Sequence, residues 1–181
     1  MQTLDLLTRE AQGKSLEFLV IGGHAVIAYG IARNTLDLDL LISRQDRAIW
    51  KKLFEDLGYS VFHEHENFLQ FSPAEPRSWP VDLMIVDEPA FRAMICEAKD
   101  VCLGGVTFKV PKIQHLIALK LHSYKSGAAQ REVKDLLDIL ELTRAARIDI
   151  DSEPFKKFCL RYVSLIQYET LREADRRRRK P

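Results

Sequence analysis

The sequence predicts an α/β (α+β) fold, a mixed β-sheet flanked by helices and followed by a C-terminal helical annex. Short apolar runs of strand length, LEFLVI at 16–21, TLDLDLLI at 35–42 and VDLMIV at 81–86, alternate with segments of helical period. From Pro111 onward the pattern is almost purely helical. No internal repeat or long linker separates the two regimes. The expected division is a core over 1–110 and a helical region over 111–181 packed on it.

Taken in order, Leu4, Leu7 and Ala11 stand at helical spacing over 2–12. LEFLVI is an apolar run stopped by two glycines, which suits a buried strand, and HAVIAYGI (24–31) continues as a helix closing near Gly30. Strict alternation makes 35–42 a strand, with Leu36, Leu38 and Leu40 pointing into the core. Ser43 opens a helix to Leu57, its inner face formed by Ile49, Trp50, Leu53, Phe54 and Leu57, and Gly58 stops it. Strands follow at 59–63, 67–72 and 81–86, then a short helix at 91–98. A hairpin spans 101–110 and turns on Gly104–Gly105. Helices are expected at 111–125, 129–144 and 154–176, with Pro111 placed well for a first turn.

Composition narrows the function classes. A chain of 181 residues buries roughly 70% of its unfolded surface and needs no disulfide or structural metal to hold a core. Net charge is +1, so no global field points to nucleic acid or membrane, and any electrostatic specialisation is local. Cys96, Cys102 and Cys159 form no C-x-x-C pair and suit reduced thiols of a cytoplasmic protein without a zinc cage. The apolar stretch at 18–32 is too short to span a bilayer, and the N-terminus lacks a signal-peptide pattern. The expectation is a soluble cytoplasmic protein with no membrane partner.

Two local features carry chemistry. On a strand, Asp37 and Asp39 share a face about 6.5 Å apart. At an effective dielectric near 20 they repel by roughly 2 kcal/mol, which a divalent cation turns into attraction. Oxygen-only ligands on a rigid strand suit Mg²⁺. Two solvated acids on an exposed edge are the plainer reading of this pair by itself. The second feature is Gly22–Gly23, between a strand and a helix, which can expose backbone amides to phosphate oxygens. By itself it is also an ordinary tight turn. The combination, a phosphate cradle followed one helix later by an acidic pair, describes a site for a metal-chelated triphosphate.

The stretch IGGHAVIAYGIARNTLDLDLLI (21–42) resembles the signature of the polymerase-β-like nucleotidyltransferase superfamily. The run Arg33-x-Thr35-x-Asp37-x-Asp39 is especially similar to its minimal bacterial members. These include antibiotic nucleotidyltransferases and the toxins of abortive-infection and type IV toxin–antitoxin systems. The resemblance implies transfer of a nucleoside monophosphate from Mg-NTP to an acceptor hydroxyl, with release of pyrophosphate. It implies two Mg²⁺ ions, with Mn²⁺ as an alternative metal. It also implies a third carboxylate in a hydrophobic-Asp-hydrophobic setting, which Asp82 fits between Val81 and Leu83. An Arg such as Arg77 is the structural alternative as partner for Asp82.

Further along, Lys120 falls in the middle of the apolar stripe Ile113, Leu116, Ile117, Leu121 and Tyr124, where a lysine must snorkel or meet an anion. The resemblance makes it a phosphate contact. REVKDLLDIL resembles the Arg-x-x-Lys-Asp-x-x-Asp pattern of the same group and adds Arg131 and Lys134 as nucleotide or acceptor contacts. There Val133, Leu136, Leu137 and Leu140 are expected to face the core. Arg131, Lys134, Asp135 and Asp138 would form the polar stripe. Gly22, Gly23, Arg33 and Thr35 complete the expected nucleotide contacts. His24 either touches a phosphate or packs against the turn. His63-Glu64-His65-Glu66 lacks a third zinc ligand, and the RRRRK tail (176–180) suits a solvated helix end better than an RNA contact.

Gly23 replaces the Ser that many members carry, so one phosphate contact is missing. The chain is also short for a templated polymerase, so no DNA template is expected. The acceptor is left open among RNA, protein and small molecule, as is an antitoxin partner. The rival expectations are a catalytically inactive binding module of the same fold and a nucleotide-binding regulator without turnover.

Overall fold

The run Val81–Val86, in which Val81, Leu83 and Ile85 are buried and Asp82, Met84 and Val86 are half-exposed, lies at the centre of a five-stranded sheet. The structure, a computed structural model, describes residues 2–126 and 129–179, and the side chains of 2 and 126–131 lie outside that description. The chain divides into two units, Met1–Lys112 and Ile113–Pro181.

The first unit runs α1 (Gln2–Gly13), β1 (Leu19–Val20), α2 (Gly22–Ala28), β2 (Leu38–Ser43) and α3 (Arg47–Asp56). It continues with β3 (Tyr59–His65), β4 (Phe68–Pro73), β5 (Val81–Val86), α4 (Glu88–Cys96), β6 (Lys99–Leu103) and β7 (Val106–Val110). The sheet order is β1-β2-β5-β4-β3, and β6-β7 is a separate two-stranded hairpin. β2 and β5 are parallel, while the remaining pairs of the large sheet are antiparallel. The mixed α/β fold predicted from the sequence is the fold observed.

One face of the sheet is apolar because the period-2 pattern demands it. Leu38, Leu40, Ile42, Leu69, Phe71, Val81, Leu83 and Ile85 are buried. Trp50, Leu53 and Phe54 of α3 are buried too, and Phe54 stacks on Phe71 at 4.6 Å between ring centroids. Ile49, expected on the inner face of α3, is exposed. Ser43 ends β2 rather than opening the helix; its hydroxyl accepts from Gln45 N at 3.3 Å and caps a short 3₁₀ turn before α3.

The second strand also starts later than alternation suggests, at Leu38 instead of 35. Leu36, expected in the core, is 75% exposed. The ladder explains this: β2 pairs with β5 only from Leu38↔Val81 onward, so nothing holds residues 35–37 in strand register.

The second unit consists of α5 (Ile113–Ser126), α6 (Ala129–Ala145), α7 (Glu153–Cys159) and α8 (Leu165–Arg179). The continuous helix expected at 154–176 is interrupted between Cys159 and Leu165. Ser164 and Gln167 form a reciprocal capping box there: Ser164 Oγ accepts from Gln167 N at 3.2 Å, and Gln167 Oε1 accepts from Ser164 N at 3.0 Å.

The face of α6 also differs from expectation. Val133 is 58% exposed and Leu137 is exposed, whereas Asp135 and Asp138 are buried with Ile139 and Leu142. Lys120 on α5 is the cause. Its ammonium lies 2.9 Å from Asp135 Oδ1 and 2.8 Å from Asp138 Oδ2, so the two acids turn inward toward it.

Candidate active site

Parallel pairing of β2 with β5 puts Asp39 directly opposite Asp82. Ladder partners share a face, so when Leu38, Leu40, Val81 and Leu83 turn into the core both carboxylates emerge on the other side. Asp37, one residue before β2, joins them. Asp37, Asp39 and Asp82 each offer a carboxylate oxygen, and these oxygens lie within 4.8 Å of one another. Three converging carboxylates, all hard oxygen donors, fit a hard divalent cation such as Mg²⁺.

The glycine turn stands beside this cluster. Gly22 has φ +60, and a Cβ there would overlap the Asp39 carboxylate. A Cβ on Gly23 would sit 2.6 Å from Thr35 Oγ1. Both positions therefore require glycine, for approach to the acids and to the 33–37 loop respectively. Ile21 N donates to Asp39 O at 2.9 Å, which ties the turn to β2. Ile21 is the N-cap of α2 and has no side-chain oxygen to cover the first-turn amides.

Neutral side chains support the acids. Thr35 Oγ1 donates to Asp37 Oδ1 at 2.7 Å, and Gln70 Nε2 donates to Asp82 Oδ2 at 3.0 Å. Gln70 lies opposite Asp82 in the β4–β5 ladder. Burial holds the pKa of the His24 imidazole below the ordinary histidine value. His24 stacks on Trp79 at 4.6 Å, with ring planes 29° apart.

The other expected contacts lie on other segments of the chain. Arg33 is half-buried on the segment between α2 and β2. Lys120 and Lys134 belong to the second unit: Lys120 is engaged by Asp135 and Asp138, while Lys134 is exposed on α6. Arg131 lies on α6, but its side chain is outside the described residues, as is Lys180 of the basic tail. In that tail Arg176, Arg177, Arg178 and Arg179 pair with Asp151, Glu173, Glu141 and Asp175.

Gln70 and Trp79 were not singled out from the sequence. In F-L-Q-F, period 2 sets Gln70 apart from buried Leu69 and Phe71, but only the strand register reveals that it meets Asp82. Trp79 carried no signal, since its contact with His24 spans 55 residues of chain (79 − 24).

Solved structures share this fold. ANT(2″)-Ia in complex with adenylyl-2″-tobramycin superposes with a TM-score of 0.60 at 18% identity, covering 98% of this chain and 99% of that one. The lincosamide antibiotic adenylyltransferase LnuA, lincomycin-bound, gives 0.58 at 14% identity, covering 80% and 96%. An antigenic nucleotidyltransferase-like protein from Paracoccidioides brasiliensis gives 0.52 at 14% identity, covering 90% and 92%. No curated protein matches the chain by sequence. A family model described as a nucleotidyl transferase of unknown function (DUF2204) matches residues 1–166, and the chain belongs to that nucleotidyl transferase family.

Proposed function

We propose that the protein transfers a nucleoside monophosphate from an NTP to an acceptor hydroxyl, using Mg²⁺ held by Asp37, Asp39 and Asp82. The observation that carries this reading is the convergence of those three carboxylates within 4.8 Å, beside a glycine whose missing side chain leaves room at Asp39. The bound cation would supply charge stabilisation for the triphosphate and the attacking oxygen.

The chain's own residues would act as follows. The amides of Gly22 and Gly23 receive phosphate oxygens, which glycine permits by close approach. Asp82 receives the proton of the acceptor hydroxyl. The acceptor oxygen bonds to the α-phosphorus, the bond from that phosphorus to the bridging oxygen breaks, and pyrophosphate leaves. Such transfer depends mainly on positioning and charge stabilisation, so a small site suffices. Arg33 and Thr35 flank the nucleotide in this reading. Lys120, Arg131 and Lys134 are separate proposals as phosphate contacts, each read out by the effect of its alanine variant on NTP affinity.

A binding module that had lost catalysis would be expected to lack one of the acids, and all three are present and clustered. For the acceptor, the tail arginines offer little support for RNA, because their charge is matched by carboxylates. One of the similar structures is a lincosamide antibiotic adenylyltransferase, and another, ANT(2″)-Ia, is in complex with adenylyl-2″-tobramycin. A small hydroxylated acceptor is therefore the first arm of the test, and RNA and protein form the toxin-type arms, with an antitoxin partner belonging to those alone. Three reduced cysteines accord with a cytoplasmic setting.

The test is incubation with each α-labelled NTP, Mg²⁺ and the three acceptor classes, comparing the native protein with Asp39→Asn. Label in one acceptor together with pyrophosphate, both lost in the variant and in EDTA, is the expected result. Equal labelling by both proteins would overturn the mechanism.

A further inference from the structure

Asp82 sits in the middle of a row that the ladders draw across the sheet. Asp39 faces it from β2 and Gln70 faces it from β4. Ladder partners share a face, so all three side chains leave the sheet on the side of the acids. One neighbour of Asp82 is therefore a second carboxylate, on a strand about 4.8 Å away. The other neighbour is a neutral amide. Gln70 Nε2 donates to Asp82 Oδ2 at 3.0 Å, and both residues are half-buried. An ionised carboxylate only accepts, so the nitrogen of the amide, and not its oxygen, is the atom that faces it.

The torsion that turns an aspartate carboxylate is broad, so its neighbours decide the plane it adopts. Repulsion from Asp39 would swing that plane in the metal-free protein, and the bond from β4 opposes the swing. A cross-strand bond can also serve stability alone, and the residue type separates the two uses. For stability, a lysine opposite Asp82 would serve better, because it would offset the charge of the crowded acids. That ammonium would also stand in for a divalent ion and compete with it. Glutamine supplies the N–H without the charge, so it holds Asp82 without neutralising it. Thr35 treats Asp37 in the same way, its neutral hydroxyl donating to Oδ1 at 2.7 Å.

We infer that Gln70 is a positioning residue, whose amide N–H fixes the plane of the Asp82 carboxylate so that Asp82 completes the divalent-cation site with Asp37 and Asp39. The inference rests on the metal-binding reading of the three acids, and its test separates the two.

Binding of Mn²⁺, measured by electron paramagnetic resonance without nucleotide, reports on the site independently of turnover. Asp39→Asn tests the reading; if it leaves Mn²⁺ affinity unchanged, the site and the inference fall together. With that reading secure, Gln70→Leu and Gln70→His test the inference. Gln70→Leu removes the N–H at similar size and should weaken Mn²⁺ binding about tenfold or more, as loss of a metal ligand's partner commonly does. Gln70→His keeps an N–H at the reach of Nε2 and should stay closer to native than to Gln70→Leu. Thermal unfolding in EDTA records what the cross-strand bond gives to stability. A purely structural bond would lower that midpoint in Gln70→Leu and leave the Mn²⁺ affinity of the folded protein as it was. If Gln70→Leu does not fold, Gln70→Thr replaces it, since a strand accommodates Thr and its side chain is too short to reach Asp82. Unchanged Mn²⁺ affinity in the variant without the donor, or equal weakening in Gln70→His, overturns the inference.

Discussion

Gly22 and Gly30 both sit at positive φ, yet only Gly22 faces a site. A Cβ at Gly30 meets nothing within 4 Å, whereas one at Gly22 overlaps the Asp39 carboxylate. Left-handed backbone costs a non-glycine residue about 1–2 kcal/mol. Gly30→Ala should lose that much stability and keep its activity. Gly22→Ala should lose at least as much and abolish transfer, as chemical denaturation and the labelled-NTP assay would show. The cysteines give a second residue-scale prediction. Cys96 and Cys102 are exposed, while burial pushes the Cys159 thiol pKa up to about 12. In the native protein two thiols should react quickly with iodoacetamide and Cys159 only on unfolding, as mass spectrometry of timed alkylation would show. The acids and glycines were legible in the sequence because spacing alone assigns them to a face and a turn. Gln70 and Trp79 were not, because their partners come from strand register and from distant chain.

At the scale of elements, periodicity located nearly every helix and strand but misjudged two helices where polar groups decide the outcome. On α6, Asp135, Asp138, Ile139 and Leu142 stand at i, i+3, i+4 and i+7, so acids and aliphatic residues compete for one buried stripe. A hydropathy pattern favours Val133 and Leu137 and cannot anticipate a lysine arriving from α5. Burial alone would lower the pKa of Lys120, but Asp135 and Asp138 outweigh it, and the net shift is upward. A folded-state pKa above the unfolded one stabilises the protein fully below the unfolded value. That contribution should hold through neutral pH, begin to fall as pH passes the ordinary 10.5 and be gone once pH exceeds the raised folded-state value. Lys120→Met would strand two buried carboxylates and cost about 3–5 kcal/mol. Adding Asp135→Asn and Asp138→Asn should restore part of it, which urea titration of the single and triple variants measures. At α8 the missed signal was S-x-x-Q at 164–167, hidden inside a helix-like pattern. Ser164→Ala should cost about 1 kcal/mol.

For the whole molecule, the design of the first unit sets stability against function. Its sheet gathers three carboxylates within 4.8 Å on a face that would be more stable with fewer charges. The parallel β2–β5 pair brings Asp39 and Asp82 together, and the glycine turn keeps the space beside them clear. The sequence shows both ingredients, but their meeting depends on chain topology, in which β5 inserts between β2 and β4. Without a cation the acids repel, so Asp39→Asn should raise the unfolding midpoint of the metal-free protein by about 2–4 °C if the repulsion it relieves is near 1 kcal/mol. With Mg²⁺ and a non-hydrolysable NTP the order should reverse. Ligand at 100 times its Kd stabilises by about 2.7 kcal/mol, or roughly 5–10 °C for a chain of this size, in the native protein alone. Differential scanning calorimetry of both proteins, with and without ligand, reads all four midpoints. A native protein whose midpoint ignores Mg²⁺–NTP, or an Asp39→Asn variant that still responds fully, would show that the three acids are not the binding site.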